Sequence, residues 1–186
     1  MTCGLTLRLP QFPHSSVHIG LYTSVTNAST IRKELLAGNT RYAYAFVDPR
    51  SVLSLAHLLA AVYRALTDMQ AGALRTRTLS SEIVFAFGGT MNIADTLRRF
   101  GINDGSDSLL VVKVDTDQVE RTDPVWAELD EIIRGTSVPV TDENIEKLTD
   151  IETVRKNYKI QQGISLADRS EVTKTVTGAI ALRGYL

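Results

Sequence analysis

A single cysteine, Cys3, occurs in 186 residues. One thiol cannot close an intramolecular disulfide, so the fold must rest on its hydrophobic core, and a reducing compartment is expected. No apolar run approaches the ~18 residues that a membrane-spanning helix needs. The stretch MTCGLTLRLP lacks the basic-then-apolar order of a secretory signal, and Pro10 interrupts it early, so we expect an intracellular protein. Charge of one sign is not in excess either. Lys and Arg number 20 against 21 Asp and Glu, a formal net charge of −1, which argues against a general nucleic-acid coat but not against a local basic patch. There is no Walker lysine, no three-glycine dinucleotide fingerprint and no serine in a nucleophile-elbow sequence.

What is present suffices for a globular fold. Hydrophobic residues make up 44% of the chain, enough to bury a core, and charged residues 22%, too few for disorder to be the default. The length suits one domain over residues 1–186. Leu5, Leu7 and Leu9 alternate with polar neighbours and predict a strand stopped by Pro10 and Pro13. Val17, Ile19 and Leu21 predict a second. Asn27 or Ser29 can cap a short helix that ends near Gly38. Tyr42–Val47 reads as a short strand or extended lead-in.

Asp48-Pro49 predicts the start of a long central helix with Val52, Leu55, Leu59, Val62 and Leu66 on its apolar stripe, ending near Gly72. The apolar run Ile83–Phe87 predicts a strand broken by Gly88-Gly89. Asn92 then caps a helix bearing Ile93, Leu97 and Phe100, closed by Gly101. Leu109–Val114 predicts a buried strand. Asp123-Pro124 opens a helix with Trp126, Leu129 and Ile133 on one face. Val138-Pro139-Val140 is at best an edge strand. Two short helices, Thr141–Leu148 and Ile151–Tyr158, precede a last helix from Ser165 or Ser170 to Leu182, with Val172, Val176, Ala179 and Ile180 as its core stripe. Strands and helices do not alternate regularly enough for a doubly wound fold. The pattern predicts an α+β domain with an antiparallel or mixed sheet packed with several helices.

The chemistry-bearing residues do not assemble a catalytic set. Gly88-Gly89-Thr90, read as a strand-to-helix turn, could cradle a phosphate on helix amides, yet glycines are also the ordinary way to leave a strand sharply. His14 and His18 fall on a turn and a strand, and His57 on the weaker face of the central helix, so no metal pattern is expected. Asp104 and Asp107 flank Gly105, but the spacing is that of a solvated turn rather than an EF-hand. Basic residues are grouped: Arg75 and Arg77 in one turn, Arg98 and Arg99 at a helix end, Arg155, Lys156 and Lys159 on a late helix, and Arg183 after the last. Should Arg75, Arg77 and Arg183 converge, an RNA-backbone contact becomes reasonable.

A set of segments carries a family resemblance: QFP before the second strand, VTNASTIRKEL, FVDPRSV, RTRTLSSEIVFAF, NIADTLRRFGI, VRKNYKI and AIALRG. In this order, over nearly the whole length, they resemble the PRPK-binding protein (TPRKB) family, the outer, kinase-binding subunit of the KEOPS/EKC complex, in its fungal-like form. The resemblance implies a non-enzymatic protein without cofactor. It implies a small atypical kinase/ATPase of KEOPS (PRPK type) as direct partner, bound mainly through the kinase's N-terminal lobe, with other KEOPS subunits reached indirectly. It further implies a role in the threonylcarbamoyl modification of adenosine in tRNAs reading ANN codons, with tRNA recruitment by the 3′ CCA end in some lineages. A nuclear and cytoplasmic location, and fungal links to telomere maintenance and transcription, belong to the same implication. Apolar residues beyond simple core needs on the helix 92–100 and the C-terminal helix make Ile93, Leu97, Val176, Ile180 and Leu182 the candidate kinase-binding residues. Arg75, Arg77 and Arg183 are the candidate tRNA-binding residues.

Overall fold

The structure, a computed structural model, describes residues 3–116, 122–161 and 168–184. Its elements, in chain order, are β1 (Leu5–Arg8), β2 (Ser16–Thr23), α1 (Ala28–Leu36), β3 (Ala45–Val47), α2 (Leu55–Gln70), α3 (Leu79–Ala86), α4 (Ile93–Phe100), β4 (Leu109–Asp115), α5 (Thr122–Ile132), β5 (Thr136–Val138), α6 (Asp142–Leu148), α7 (Ile151–Tyr158) and α8 (Arg169–Leu182). They form two compact units, each built from two stretches of chain: Met1–Asp48 with Gly101–Val140, and Pro49–Phe100 with Thr141–Leu186. The α+β class expected from the sequence is the one found.

The first unit holds the sheet. Every strand pair is antiparallel, in the order β1-β2-β4-β3, with β5 also pairing β2. β2 and β4 run side by side from Ser16↔Asp115 to Tyr22↔Leu109, and Val17, Ile19, Leu21, Leu109, Leu110 and Val112 are completely buried. Tyr22, Ile31, Phe46, Val111, Leu129 and Ile132 belong to one apolar cluster joining the sheet to α1 and α5. Burial of a Leu or Ile side chain is worth about 1.5–3 kcal/mol, so this cluster is what holds the unit together.

Polar side chains lock the edges. Thr6 Oγ1 on β1 lies 2.9 Å from His18 Nδ1 on β2, and His18 Nε2 lies 3.3 Å from Asp115 Oδ2 on β4. Burial pushes the His18 imidazole pKa down, with Asp115 opposing. Asn27 precedes α1 as expected, but its side chain does not cap that helix. Its Nδ2 donates to the Ile132 carbonyl (2.8 Å) and its Oδ1 accepts from the Arg134 amide (3.0 Å), tying α1 to the end of α5. The predicted edge strand at 138–140 is displaced to β5, because pairing with Leu21–Thr23 engages 136–138 before Pro139, which has no amide to donate. The lead-in at 42–47 divides into a 3₁₀ turn, Thr40–Tyr42, and the short β3.

The second unit is helical, with α2 packed against α3 and α8. Asp48-Pro49 is not the start of α2. Pro49–Ser51 forms a 3₁₀ turn, and α2 begins at Leu55, where Ser54 Oγ accepts from the His57 amide (3.2 Å). Serine supplied the first-turn acceptor closer to the helix, so the helix starts there. Its other end is as expected, with Gly72 in the left-handed region at φ +64°.

The larger departure is α3. The run predicted as a strand, 83–87, is a helix capped by Thr78, whose Oγ1 accepts from the Ser81 amide (3.1 Å). Ile83, Val84, Phe85, Ala86 and Phe87 are buried together, so no side of the run is polar and periodicity cannot tell strand from helix. α6 and α7 fall where predicted, capped by Thr141 and Asp150. α8 is capped by Asp168, which accepts from the Ser170 and Glu171 amides. The alternative start at Ser165 lies outside the described residues.

His57 is not on a weak face but completely buried. Its Nδ1 accepts from the Leu53 amide (3.2 Å), so Nε2 carries the proton and donates to Tyr158 Oη at 2.7 Å. Phe87 meets the imidazole edge-on at 5.2 Å and stacks on Phe100 at 5.7 Å. Burial in this aromatic nest holds the His57 pKa down to about 3.

Candidate functional site

All eight residues singled out from the sequence lie in the helical unit, on α4, on α8 with the residue after it, and in the loop between α2 and α3. The loop is ordered by one buried acid. Glu82, in the first turn of α3, turns its side chain back, and its Oε2 accepts from the Arg75 amide (3.0 Å), the Thr76 amide (2.8 Å) and Thr76 Oγ1 (2.7 Å). This arrangement fixes the backbone at 75–76 and leaves the Arg75 and Arg77 side chains exposed. Neither guanidinium has a carboxylate partner among the described residues.

Arg183 does not join them on the surface. Only 4% of it is exposed. Its Nη1 donates to the Phe85 carbonyl (2.6 Å), and Nη2 lies 3.1 Å from Asp68 Oδ2 and 3.5 Å from Glu82 Oε1. The guanidinium also stacks over the Phe85 ring at 4.2 Å. Arg64 completes the cluster. Its Nε donates to both Asp68 oxygens (3.0 and 2.9 Å) and its Nη1 to the Ala181 carbonyl (2.9 Å). Two guanidiniums thus face two carboxylates, the neutral pairing that burial demands. Desolvation lowers the Arg183 pKa first and Arg64 adds to it, while Glu82 and Asp68 act the other way. As a direct phosphate contact Arg183 is therefore corrected: its donors are committed inside the unit. The sequence signal for this was Glu82 itself, an acid at the head of an apolar run that must bring a partner with it.

The candidate kinase-binding residues divide in the same way. Val176 and Ile180 are buried at 0% and 1% exposure and belong to the chain's own core, Val176 packing with Leu53, Val154 and Val172. They too are corrected as surface contacts, because their side of α8 is taken up by the unit's own core. Ile93 and Leu97 on α4 are half-buried, and Leu182 is 50% exposed. Sequence reasoning missed Met91, which is 46% exposed just before α4. A Cβ placed on Gly184 would sit 4.0 Å from Met91 Sδ, so the start of α4 and the end of α8 are neighbours. Arg98 and Arg99 both pair with Asp95 (2.5 and 2.7 Å), which lowers the Asp95 pKa, Arg98 contributing most.

The Gly88-Gly89 turn joins two helices rather than a strand and a helix. A Cβ on Gly88 would lie 2.5 Å from the buried Thr96 side chain, so this glycine is there for close packing. Asp104 pairs with Arg32, and among the described residues no group of three or more His, Cys, Asp and Glu is placed to hold a metal ion. No helix of the described residues is long and apolar enough to cross a membrane. An open cleft of about 310 Å³ lies by Ser54, Asp142, Glu146, Arg169 and Lys174. Its Arg169 is tied to the Leu53 carbonyl (2.7 Å) and Thr149 Oγ1 (2.8 Å).

A pair of exposed arginines on a braced loop, with half-exposed apolar side chains at a helix junction, defines surfaces of the kind a binding protein presents. A family model described as "Kinase binding protein CGI-121" matches residues 22–184, and the chain belongs to that family. A protein named EKC/KEOPS complex subunit CGI121 from Yarrowia lipolytica is 42% identical over 179 residues, spanning 96% of this chain and 99% of its own length. Its namesake from Aspergillus fumigatus is 40% identical over 96% of each chain. One from Schizosaccharomyces pombe is 31% identical over 95% of this chain and 98% of its own.

Proposed function

We propose that this chain is a non-catalytic subunit of an EKC/KEOPS complex that binds the complex's small atypical kinase/ATPase. The observation that carries this reading is full-length similarity to relatives named as that subunit. In the complex it supports the kinase-like subunit during threonylcarbamoyl modification of tRNAs reading ANN codons, in nucleus and cytoplasm. Links to telomere maintenance and transcription follow through the assembled complex. The kinase surface is revised to Met91, Ile93, Leu97 and Leu182, the exposed and half-buried apolar residues at the junction of α4 and α8.

Co-expression with the KEOPS kinase of the same organism, followed by size-exclusion chromatography with light scattering, tests it. A stable stoichiometric complex is expected. Leu97→Glu abolishes that complex while leaving a folded protein, because a charge is set into the apolar contact. Two folded partners that do not associate would overturn the reading.

A second reading is supported by the Arg75–Arg77 loop, whose exposed guanidiniums have no carboxylate partner among the described residues. These two residues contact the tRNA phosphate backbone directly, as a charge pair held ready by the fold. This reading and the kinase contact use different side chains and coexist.

A further inference from the structure

Arg183 is the residue whose placement departs most from its expected role, and its surroundings give it another. The Glu82 carboxylate is completely buried and two-sided. One oxygen takes the loop's three donors, Arg75 N, Thr76 N and Thr76 Oγ1. The other lies 3.5 Å from Arg183 Nη2. A carboxylate without solvent needs an opposing cation to remain charged and in place, and Arg183 supplies it. We propose that Arg183 is a positioning residue for the Arg75–Thr78 loop: through Glu82 it holds Arg75 and Arg77 in the arrangement that meets a phosphate backbone, without touching phosphate itself. The proposal rests on the reading of Arg75 and Arg77 as backbone contacts.

The geometry requires arginine rather than any cation. Arg183 reaches the Phe85 carbonyl, Asp68 and Glu82 from one planar group that also lies on the Phe85 ring. A lysine ammonium keeps the charge but cannot reach all three acceptors and stack as well. Arg183→Lys therefore weakens the hold on Glu82 while preserving the net charge of the cluster. Thr76→Val removes one loop donor to Glu82 from the other side and leaves Arg183 intact.

The test combines amide hydrogen exchange on the full chain with binding of an unmodified tRNA transcript across a salt series. It uses Arg183→Lys, Thr76→Val, the Arg75→Ala/Arg77→Ala double variant, and each single variant combined with the double. In Arg183→Lys, exchange at the Arg75 and Thr76 amides rises about tenfold, as expected when one charge-assisted bridge is lost. Its tRNA affinity falls about fivefold, and this loss vanishes in the Arg75→Ala/Arg77→Ala background, because a positioning residue acts only through the side chains it positions. Thr76→Val shows the same pattern for the link between Glu82 and the loop, and Arg183→Gln, which keeps a planar donor without the charge, decides the role of Arg183 should Arg183→Lys not fold.

Loop amides as protected in both variants as in the parent would overturn the coupling. A loss that adds fully to that of the double variant, with a further drop in salt dependence, would make Arg183 a direct phosphate contact and overturn the proposal. Unchanged tRNA affinity in the double variant itself overturns the RNA reading and with it the phosphate half of the proposal. The exchange measurement then settles the coupling on its own.

Discussion

His57 Nε2 and Tyr158 Oη lie 2.7 Å apart, joining α2 to α7 across 101 residues of sequence. The pair sits among Phe87 and Phe100, and the Leu53 amide occupies the other imidazole nitrogen, so the ring has no room for a second proton.

This arrangement makes stability depend on pH. The folded His57 pKa is near 3, against 6.5 for a free imidazole. Between these values the unfolded chain binds a proton that the folded chain does not, so stability falls as pH drops below 6.5 and recovers above it. At one pH unit below the free value the contribution is about 1.4 kcal/mol. Urea unfolding from pH 7.5 to 5.5 measures it. His18, also held low by burial, adds a component of the same sign. The difference in slope between the parent and His57→Leu isolates His57, and equal slopes would refute its assignment.

Val176 and Leu182 on α8 separate core from surface. Val176→Ala removes completely buried apolar volume and lowers stability by about 2 kcal/mol. Leu182→Ala, at a half-exposed site, changes stability by no more than about 0.5 kcal/mol. Kinase binding responds in the opposite order, weakened by Leu182→Ala and retained by Val176→Ala once the protein is kept below its melting temperature. Thermal melts and a pull-down with the kinase give both readouts.

Gly88 and Gly89 are adjacent but not equivalent. Alanine at 88 brings a methyl to 2.5 Å from Thr96, which is 2% exposed and cannot move aside, whereas alanine at 89 meets nothing within 4 Å. Gly88→Ala is expected to cost about 1–3 kcal/mol by overpacking. Gly89→Ala should unfold at the same urea concentration as the parent. A neutral Gly88→Ala would show that α3 and α4 are free to separate.

Arg75→Ala and Arg77→Ala should each weaken binding of a tRNA transcript and reduce the slope of log affinity against log salt by about 0.7–0.9, one phosphate contact apiece. Their unfolding midpoints should not change, since both side chains are exposed. Slopes identical to the parent's would show that these arginines serve only solvation.

Much of the fold was legible because its signals are local. Thr141, Asn92 and Gly72 mark helix ends through bonds or backbone angles within a few residues of themselves: the Asn92 side chain accepts from the Asp95 amide (3.0 Å) and Gly72 takes φ +64°. Strands β2 and β4 were readable from their apolar content alone, as was the stripe of α8. The candidate site was legible only in part. Arg75 and Arg77 stand exposed, Ile93 and Leu97 remain partly accessible and Leu182 half-exposed, and Val176 and Ile180 lie on the readable stripe of α8, but nothing local to Arg183 says that it points inward.

By itself, then, the sequence determined the α+β class, most element boundaries, and family membership, since capping and periodicity act over about four residues and similarity accumulates along the whole chain. The tertiary structure alone decided that the run at 83–87 is a helix, that His57 is neutral and enclosed, and that Arg183 is buried against Asp68, 115 residues away. The physical reason is common to all three. A uniformly apolar segment, a histidine or an arginine can take either of two states, and the choice depends on the neighbours that pack around it, which may lie anywhere in the sequence.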